Sequence, residues 1–453
     1  MRIVVLAALV GCAAALGGCS GCSRDQPAPP GPLASASAPI GSAPPGVVAE
    51  SLPRCRTDGA RLALAGDDVV VGEAVLGPDA LFLGVVRREG TKRLAGIVRA
   101  ALDLSSSRMV ELGPALGDDP PPTPRLRGTT AYVTSFTRRS AAGADAGADA
   151  GAGAMGATRR LEIARLDAGG LVAEGTITQQ ADESLAYDVA WPEGGAPGAA
   201  LVAWDEDAPP EVARALGDRG VVKVQLLGAG TKARVASPDK SDAEAPRLLA
   251  RPGGYWLAWL ARRAEAVEDA GPNGNAEGPG ERRAYRWVEL VTLDAKGEAT
   301  SPVRRISPEK GRVASFDLVR TGGASAAQVV VLVQDEAAHA EGAGERMVRY
   351  VTDGDKVESA DLLDGGIGHA LADLLPQGAG PNRWLAFVDP QEHAHVVPLG
   401  PTLRVAGPNT TEPALDGARV LGSAPPDVVY AVGPSGAAET ANGRVELRRL
   451  VCR

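Results

Sequence analysis

The sequence predicts an all-β protein built from a unit that recurs about seven times. In each copy, turn-forming residues precede a short apolar run, and the run stops at charged residues or at another turn. The seven runs lie in residues 79–88, 130–139, 198–207, 252–263, 327–336, 382–390 and 427–434. Residues 255–260 (YWLAWL) are the fullest copy, and both of their alternating sets of side chains are apolar. A strand of that kind must be covered on both faces.

Shorter strand-like segments separate these runs. In residues 246–306 a first strand (246–250) precedes the apolar run, and a third (285–294) and a fourth (303–306) follow it. Residues 315–363 repeat this order. Four short antiparallel strands per unit are typical of a β-propeller, so we predict a single β-propeller of seven four-stranded blades. The rival folds are a ring of six or eight blades, and a pair of β-sandwich domains, whose strands usually keep one polar face.

The amino terminus has the layout of a secretory signal. Arg2 is the only positive charge before an apolar run over residues 3–16, which is too short to span a membrane. Leu16-Gly17-Gly18-Cys19 follows and resembles the lipobox of bacterial lipoproteins. The resemblance implies cleavage before Cys19, acylation of its thiol and, because Ser20 follows, placement in the outer membrane. An ordinary secreted protein is the alternative.

Residues 19–54 are rich in Pro, Ala, Ser and Gly and carry few bulky side chains. Such a composition cannot bury enough apolar surface to fold, so we expect a disordered tether. The predicted division is therefore a signal peptide over residues 1–18, the tether over 19–54 and the β-propeller over 55–453. This layout resembles a bacterial lipoprotein that carries a propeller, and no specific propeller family is identified.

Two cysteines bracket the predicted propeller. Cys55 opens the folded region and Cys452 is the penultimate residue. In an exported protein such a pair predicts a disulfide, and a closed propeller brings the first and last strands into one blade. Two free thiols are the alternative. Cys22, beside the lipidated residue, is left without an assigned role.

Charge and motifs exclude several functions. The net charge of −9 gives no basic footprint for nucleic acid. No nucleophile elbow, zinc-protease helix or P-loop is present. His393 and His395 share one side of a strand or loop, and the turns at residues 205–207 and 353–355 are acidic, but none of these forms a complete ligand pattern. We therefore predict no metal, no cofactor and no catalytic residue.

These observations favour a non-catalytic binding or scaffolding propeller. The lipobox predicts that it is lipid-anchored in the bacterial cell envelope, with a protein or glycan partner there, and we expect a monomer. The alternative is a propeller hydrolase or lyase that acts on envelope glycans or peptides. The side chains that line the central channel should separate the two, because an active site of this kind would gather acids and histidines there.

Paired arginines suggest a binding rim. Two low-complexity insertions, residues 140–158 and 264–281, follow the second strands of their repeats. Equivalent loops emerge on the same face of a propeller, so the arginines that bracket them could form a basic collar that attracts an anionic partner. These arginines are Arg138, Arg139, Arg159, Arg160, Arg262, Arg263, Arg282 and Arg283.

Overall fold

The computed structural model describes residues 55–452 with gaps at 116–118, 140–157, 168–169, 179–185, 194–198, 208–219, 229–230, 239–241, 264–284, 310, 320–327, 336–345, 354–355, 362–372, 375–382, 389–392, 401–402, 408–409, 425–427 and 435–443. The chain divides into two units, Met1–Glu50 and Ser51–Arg453, and every described residue belongs to the second. The predicted signal peptide and tether, with Cys19, lie outside the described residues and stay predictions. No helix in the described part of the chain has the length and apolarity needed to cross a membrane.

The described residues are almost entirely β-strands. In chain order the strands are β1 (Cys55–Leu64), β2 (Asp67–Leu76), β3 (Ala80–Glu89), β4 (Lys92–Ala101), β5 (Ser107–Pro114), β6 (Thr123–Arg127), β7 (Thr130–Arg139), β8 (Thr158–Asp167), β9 (Gly170–Thr178), β10 (Tyr187–Ala190), β11 (Leu201–Asp207), β12 (Gly220–Leu226), β13 (Arg234–Val235) and β14 (Asp242–Arg251). They continue as β15 (Gly254–Arg263), β16 (Tyr285–Asp294), β17 (Arg304–Arg305), β18 (Val313–Val319), β19 (Gln328–Asp335), β20 (Arg346–Asp353), β21 (Lys356–Asp361), β22 (Asp373–Leu374), β23 (Arg383–Val388), β24 (Ala394–Leu399), β25 (Thr410–Thr411), β26 (Arg419–Ala424), β27 (Val428–Pro434) and β28 (Val445–Cys452). A 3-10 turn, Pro413–Leu415, follows β25.

The strands form seven four-stranded antiparallel sheets, which we call blades. Blades 1 to 6 are β2–β5, β6–β9, β10–β13, β14–β17, β18–β21 and β22–β25, and blade 7 is β26–β28 with β1 on its outer edge. The first strand of each blade is innermost, and innermost strands pack on one another at β26/β2, β2/β6, β10/β14, β14/β18 and β22/β26. The fold is a seven-bladed β-propeller, as predicted.

The core lies between blades, which explains the strands that are apolar on both faces. On one face of β15, Trp256, Ala258 and Leu260 pack in a cluster with blade 5. On the other face, Tyr255 and Trp259 pack in a cluster with blade 3. All five side chains are buried because a sheet covers each face.

Two glycines let blade 2 approach blade 1 closely. A Cβ on Gly84, in the middle of β3, would lie 1.7 Å from the carbonyl oxygen of Pro122. A Cβ on Gly72 would lie 2.6 Å from the Pro121 side chain. Only a residue without a side chain fits at either position. The segment that leads into β6 therefore rests directly on blade 1, next to the bulge of β2.

Blade 7 closes the ring with the two ends of the described chain. β1 pairs with β28 from Cys55↔Cys452 to Leu64↔Val445, as the sequence predicts. A disulfide joins Cys55 to Cys452 across 397 residues of sequence, which confirms the predicted pairing. The fully buried carboxylate of Glu412 adds a second contact, because it accepts the Cys55 amide at 2.8 Å and the Thr410 hydroxyl at 2.5 Å.

Candidate functional site in the central channel

Charged residues of alternating sign lie on the innermost strands of five successive blades. Glu73 lies on β2, Arg125 on β6, Asp188 on β10, Arg247 on β14 and Asp317 on β18. The innermost strands of a propeller surround its central channel, so strands far apart in sequence bring these groups together there. The innermost strand of blade 6, β22, includes Asp373, whose side chain is not among those described.

Glu73, Arg125 and Asp188 form one connected chain of ion pairs across blades 1 to 3. One guanidinium nitrogen of Arg125 donates to Glu73 Oε2, and the other donates to Asp188 Oδ1 at 2.9 Å. The Val189 amide also donates to Asp188 Oδ1 at 2.8 Å, and the Leu248 amide donates to Asp188 Oδ2 at 2.8 Å. Both oxygens of Asp188 are therefore committed to the protein, and its side chain is only 8% exposed.

The charges in the channel fix the protonation state of Glu73. The positive charge of Arg125 is the main cause that lowers the pKa of Glu73 to about 2. Burial opposes this shift, while Arg247 and Arg419 add to it. Glu73 is therefore a carboxylate throughout the physiological range and a very weak base.

Asp317 is shifted in the opposite direction. Burial raises its pKa to about 6, against the opposing effects of Arg247 and of the Leu318 amide. The negative charges of Asp188 and Glu73 raise it further. The Leu318 amide donates to Asp317 Oδ1 at 2.8 Å, and in the described part of the chain no hydrogen bond reaches Oδ2. Asp317 therefore gains or loses its proton at mildly acidic pH, near its pKa of about 6.

A β-bulge carries Arg247 into the channel. The register of β14 against β15 shifts between Glu244 and Arg247, and Ala245 within that shift has a φ of 52°. Asp205 of blade 3 accepts the Ala245 amide at 2.7 Å and so holds the bulge in place. Burial raises the pKa of Asp205 to about 7, the Ala245 amide lowers it, and the charge of Glu244 raises it.

Sequence reasoning missed these channel residues. Each is one residue in the first strand of its repeat, where β2, β6 and β14 carry further charges, and no local motif joins them. A signal was present in the repeated tripeptides Pro124-Arg125-Leu126 and Pro246-Arg247-Leu248. Proline is tolerated there because an edge strand does not need its amide for pairing. An arginine that follows such a proline in the first strand of a repeat marks a side chain directed to the channel.

The predicted arginine rim is described only in part. Its members on β7 and β8 are adjacent, since Arg138 pairs with Arg159 and Arg160 pairs with Thr137. Arg262 and Arg263 end β15, and Arg282 and Arg283 lie outside the described residues. The Arg262 guanidinium forms ion pairs with Asp242 at 3.0 Å and Glu244 at 3.4 Å. Its charge is thus compensated within blade 4, and the collar as a whole stays a prediction.

The other polar candidates lie away from the channel. His393 and His395 are at the start of β24, the third strand of blade 6, whereas residues 339 and 369 are not described. In the acidic segment of β11, Glu206 accepts the Trp204 indole N–H at 2.6 Å and the Lys223 ammonium at 2.5 Å. Across the residues that the structure describes, no group of three or more His, Cys, Asp or Glu side chains is placed to hold a metal ion.

The sequence matches no protein-family model, and the comparison with curated proteins finds no match. Among solved structures, it is similar to the polysaccharide lyase Uly1, with 11% identity, 85% of this chain and 90% of that chain covered, and a TM-score of 0.46. The β-propeller domain of the Trilobed protease from Pyrococcus furiosus gives 9% identity, coverage of 85% and 93%, and a TM-score of 0.44. The α-L-arabinanase of Penicillium chrysogenum gives 10% identity, coverage of 86% and 98%, and a TM-score of 0.41.

Proposed function

We propose that this chain is a lipid-anchored protein of the bacterial cell envelope whose propeller binds a partner through its central channel without catalysing a reaction. The anchoring half of the proposal rests on Leu16-Gly17-Gly18-Cys19 after an apolar run, and on Ser20, which points to the outer membrane. The part of the proposal that concerns binding rests on the charged residues of the central channel. The partner is a protein or glycan component of the envelope.

One observation carries the preference for binding over catalysis, namely the state of the channel carboxylates. General acid–base chemistry needs an acid and a base with pKa values near the working pH. Glu73 has a pKa of about 2, and Asp188 has both oxygens hydrogen-bonded, so neither is a suitable base. A fixed array of charges that is already neutralised in part serves recognition better than proton transfer.

A hydrolase or lyase acting on envelope glycans or peptides is the second candidate. Asp317 favours it, because burial raises its pKa to about 6, where a carboxylic acid can donate a proton. This candidate requires a base that the described side chains of the channel do not supply.

Anchoring is tested by labelling cells that express the full chain with radioactive palmitate. We expect the wild-type protein and Cys22→Ser to take up label and to sediment with membranes. Cys19→Ser should remain unlabelled. Label that persists in Cys19→Ser would overturn the lipid anchor at this residue.

Binding without turnover is tested with the purified full-length lipoprotein in detergent. It is titrated with muropeptides and with neutral and acidic envelope oligosaccharides by calorimetry, and the recovered probes are weighed by mass spectrometry. We expect saturable binding of at least one probe and no change in any probe mass. Cleavage products that form with the wild-type protein but with neither Asp317→Asn nor Glu73→Gln would contradict the binding function and support the enzymatic one.

A further inference from the structure

Blades 4 and 5 repeat the local geometry of blades 2 and 3. Arg125 and Arg247 each follow a proline, and each guanidinium donates to the carbonyl oxygen of that proline at 3.1 Å. Asp188 and Asp317 each accept the amide of the next residue on Oδ1 at 2.8 Å. The channel therefore contains two Arg–Asp sets, Arg125 with Asp188 and Arg247 with Asp317, which are built in the same way.

The two sets differ in whether the arginine meets its aspartate. Arg125 is bonded to Asp188 at 2.9 Å and to Glu73 on its other side. Within the described residues, Arg247 has no carboxylate within ion-pair distance, and its hydrogen bond to the Pro246 carbonyl is the only one it makes. Asp188, on the blade 3 side of Arg247, already accepts three hydrogen bonds. Among the described residues, Arg247 is thus not paired with a carboxylate, whereas Arg125 is paired with two. We call the Arg247–Asp317 set open and the Arg125–Asp188 set closed.

We infer that the open set, Arg247 with Asp317, binds a carboxylate of a small ligand that enters the channel. The guanidinium of Arg247 offers a planar pair of N–H donors, which matches the two oxygens of a carboxylate. Asp317 Oδ2, on the facing blade, donates a third hydrogen bond when it carries the proton. The ligand carboxylate takes the place in this set that Asp188 occupies in the closed one.

The neighbouring carboxylates favour a ligand group with a single negative charge. A phosphate dianion would face Glu73 and Asp188, the negative charges that act on Asp317, and its second charge would add to the repulsion. A carboxylate carries one negative charge and meets less repulsion.

The inference rests on the proposed binding function and specifies the ligand chemistry of the same channel.

The test of this inference uses three sugars that differ only at one carbon: D-glucose, D-glucuronate and D-glucose 6-phosphate. The full-length protein is titrated with each by calorimetry at pH 5 and pH 7. We expect glucuronate to bind at least fivefold more tightly than glucose at pH 5, and more tightly than glucose 6-phosphate at pH 7, where the phosphate is mostly a dianion. The affinity for glucuronate should fall roughly tenfold at pH 7, because one proton on a group with a pKa of about 6 is lost between these values.

Two variants assign the effect to named atoms. Asp317→Asn keeps a neutral hydrogen-bond donor, so glucuronate should bind it with the same affinity at both pH values. Arg247→Gln should lose the preference for glucuronate over glucose, whereas Arg305→Gln, an exposed arginine paired with Glu309 outside the channel, should retain it. Thermal melting of each variant verifies that it is folded, and Arg247→Lys, which keeps the charge without the planar fork, should bind with intermediate affinity.

The outcomes separate this inference from the proposed function. Equal affinity for glucose and glucuronate at pH 5, tighter binding of glucose 6-phosphate, or an unchanged pH dependence in Asp317→Asn would overturn the inference. Muropeptides or oligosaccharides that still bind without turnover would leave the proposed function in place. Conversely, carboxylate binding that depends on Arg247 can persist while every envelope probe is cleaved, and then only the proposed function fails.

Discussion

Arg125 joins three blades through one side chain. Its guanidinium bonds Glu73 on blade 1 and Asp188 on blade 3 from its own position on blade 2. Asp188 is nearly buried, whereas the Glu73 side chain is 42% exposed, so solvent screens the second contact. Loss of Arg125 would leave the nearly buried Asp188 without its charged partner.

We expect Arg125→Gln to lower the free energy of unfolding by about 2 kcal/mol, the range for a hydrogen bond to a charged group that is left without its partner. Urea denaturation at pH 7 measures this loss. Arg305→Gln is the matched control, since it breaks an exposed pair with Glu309 and should cost less than about 1 kcal/mol. Equal losses in the two variants would show that the Arg125 bridge adds nothing beyond a surface pair.

Asp205 makes stability depend on pH through the bulge that positions Arg247. The pKa of its carboxyl is about 7 in the folded protein against an ordinary value of 3.8, so folding takes up a proton between these pH values. Stability from this group is present below about pH 4 and is lost as the pH rises through 7. Relative to wild type, Asp205→Asn should gain roughly 1–3 kcal/mol between pH 4.5 and pH 7.5.

The measurement for Asp205 is the difference in unfolding free energy between variant and wild type at the two pH values, which cancels the titration of all other groups. Gly400→Ala, which changes no titratable group and meets no atom closer than 3.7 Å, should show the same difference at both. A constant difference for Asp205→Asn would mean that Asp205 does not carry the predicted proton.

At the scale of elements, β3 and β6 show how tightly neighbouring blades are fitted. The approach of Pro122 to Gly84 brings the start of β6 against the centre of β3. This contact fixes the position of β6 relative to β3, and with it the position of Arg125 beside Glu73. The glycine is thus required by the neighbouring blade rather than by its own strand.

Gly84→Ala should destabilise the protein by about 3 kcal/mol, the upper end for overpacking, because the new methyl group meets backbone atoms that cannot rotate away. Gly400→Ala is the control, since the nearest atom to its Cβ would be 3.7 Å away, and we expect a change within about 0.5 kcal/mol. Chemical denaturation of the two variants in parallel decides the point. A Gly84→Ala protein as stable as Gly400→Ala would contradict the close packing of blades 1 and 2.

The strands could be predicted from sequence because each carries a local signal. The apolar run of residues 255–260 falls within β15, and the predicted third strand at residues 285–294 coincides with β16. Both are long and buried on two faces, so hydrophobicity alone marks them. In the sequence, the two-residue strand β17 is indicated only by the turn beside it. In that turn Ser307 Oγ accepts a hydrogen bond from the Val288 amide at 2.9 Å.

The channel could not be predicted in the same way. Arg247 acts on the pKa of Asp317 because the neighbouring blades 4 and 5 pack with β14 beside β18, and the spacing of the two residues in sequence carries no trace of this. Their behaviour also depends on burial, which raises the pKa of Asp317, and on a bulge held by Asp205 from another blade. Such contacts arise from tertiary packing, whereas periodicity reports only the pattern within a strand.

At the scale of the whole molecule, one covalent bond joins the first and last strands of the ring. Replacing Cys55 and Cys452 together by Ser should lower stability by about 2–5 kcal/mol, the usual effect of removing a disulfide from an exported domain. Thermal melting with and without reductant measures the effect, and Cys22→Ser should melt like wild type. A melting temperature that reductant leaves unchanged in the wild-type protein would contradict a stabilising role for this bond.

The position of the same bond also determines how a pulling force would enter the ring. Cys55 is the first residue of the edge strand β1, so traction on the preceding segment would otherwise peel the β1–β28 hydrogen bonds one at a time. The disulfide passes the load directly to β28, which has a strand on each side, and Glu412 holds the amide of the loaded residue from blade 6. For a body attached to a membrane through residues 19–54, as proposed, drag on the propeller would stretch the attachment and leave blade 7 closed.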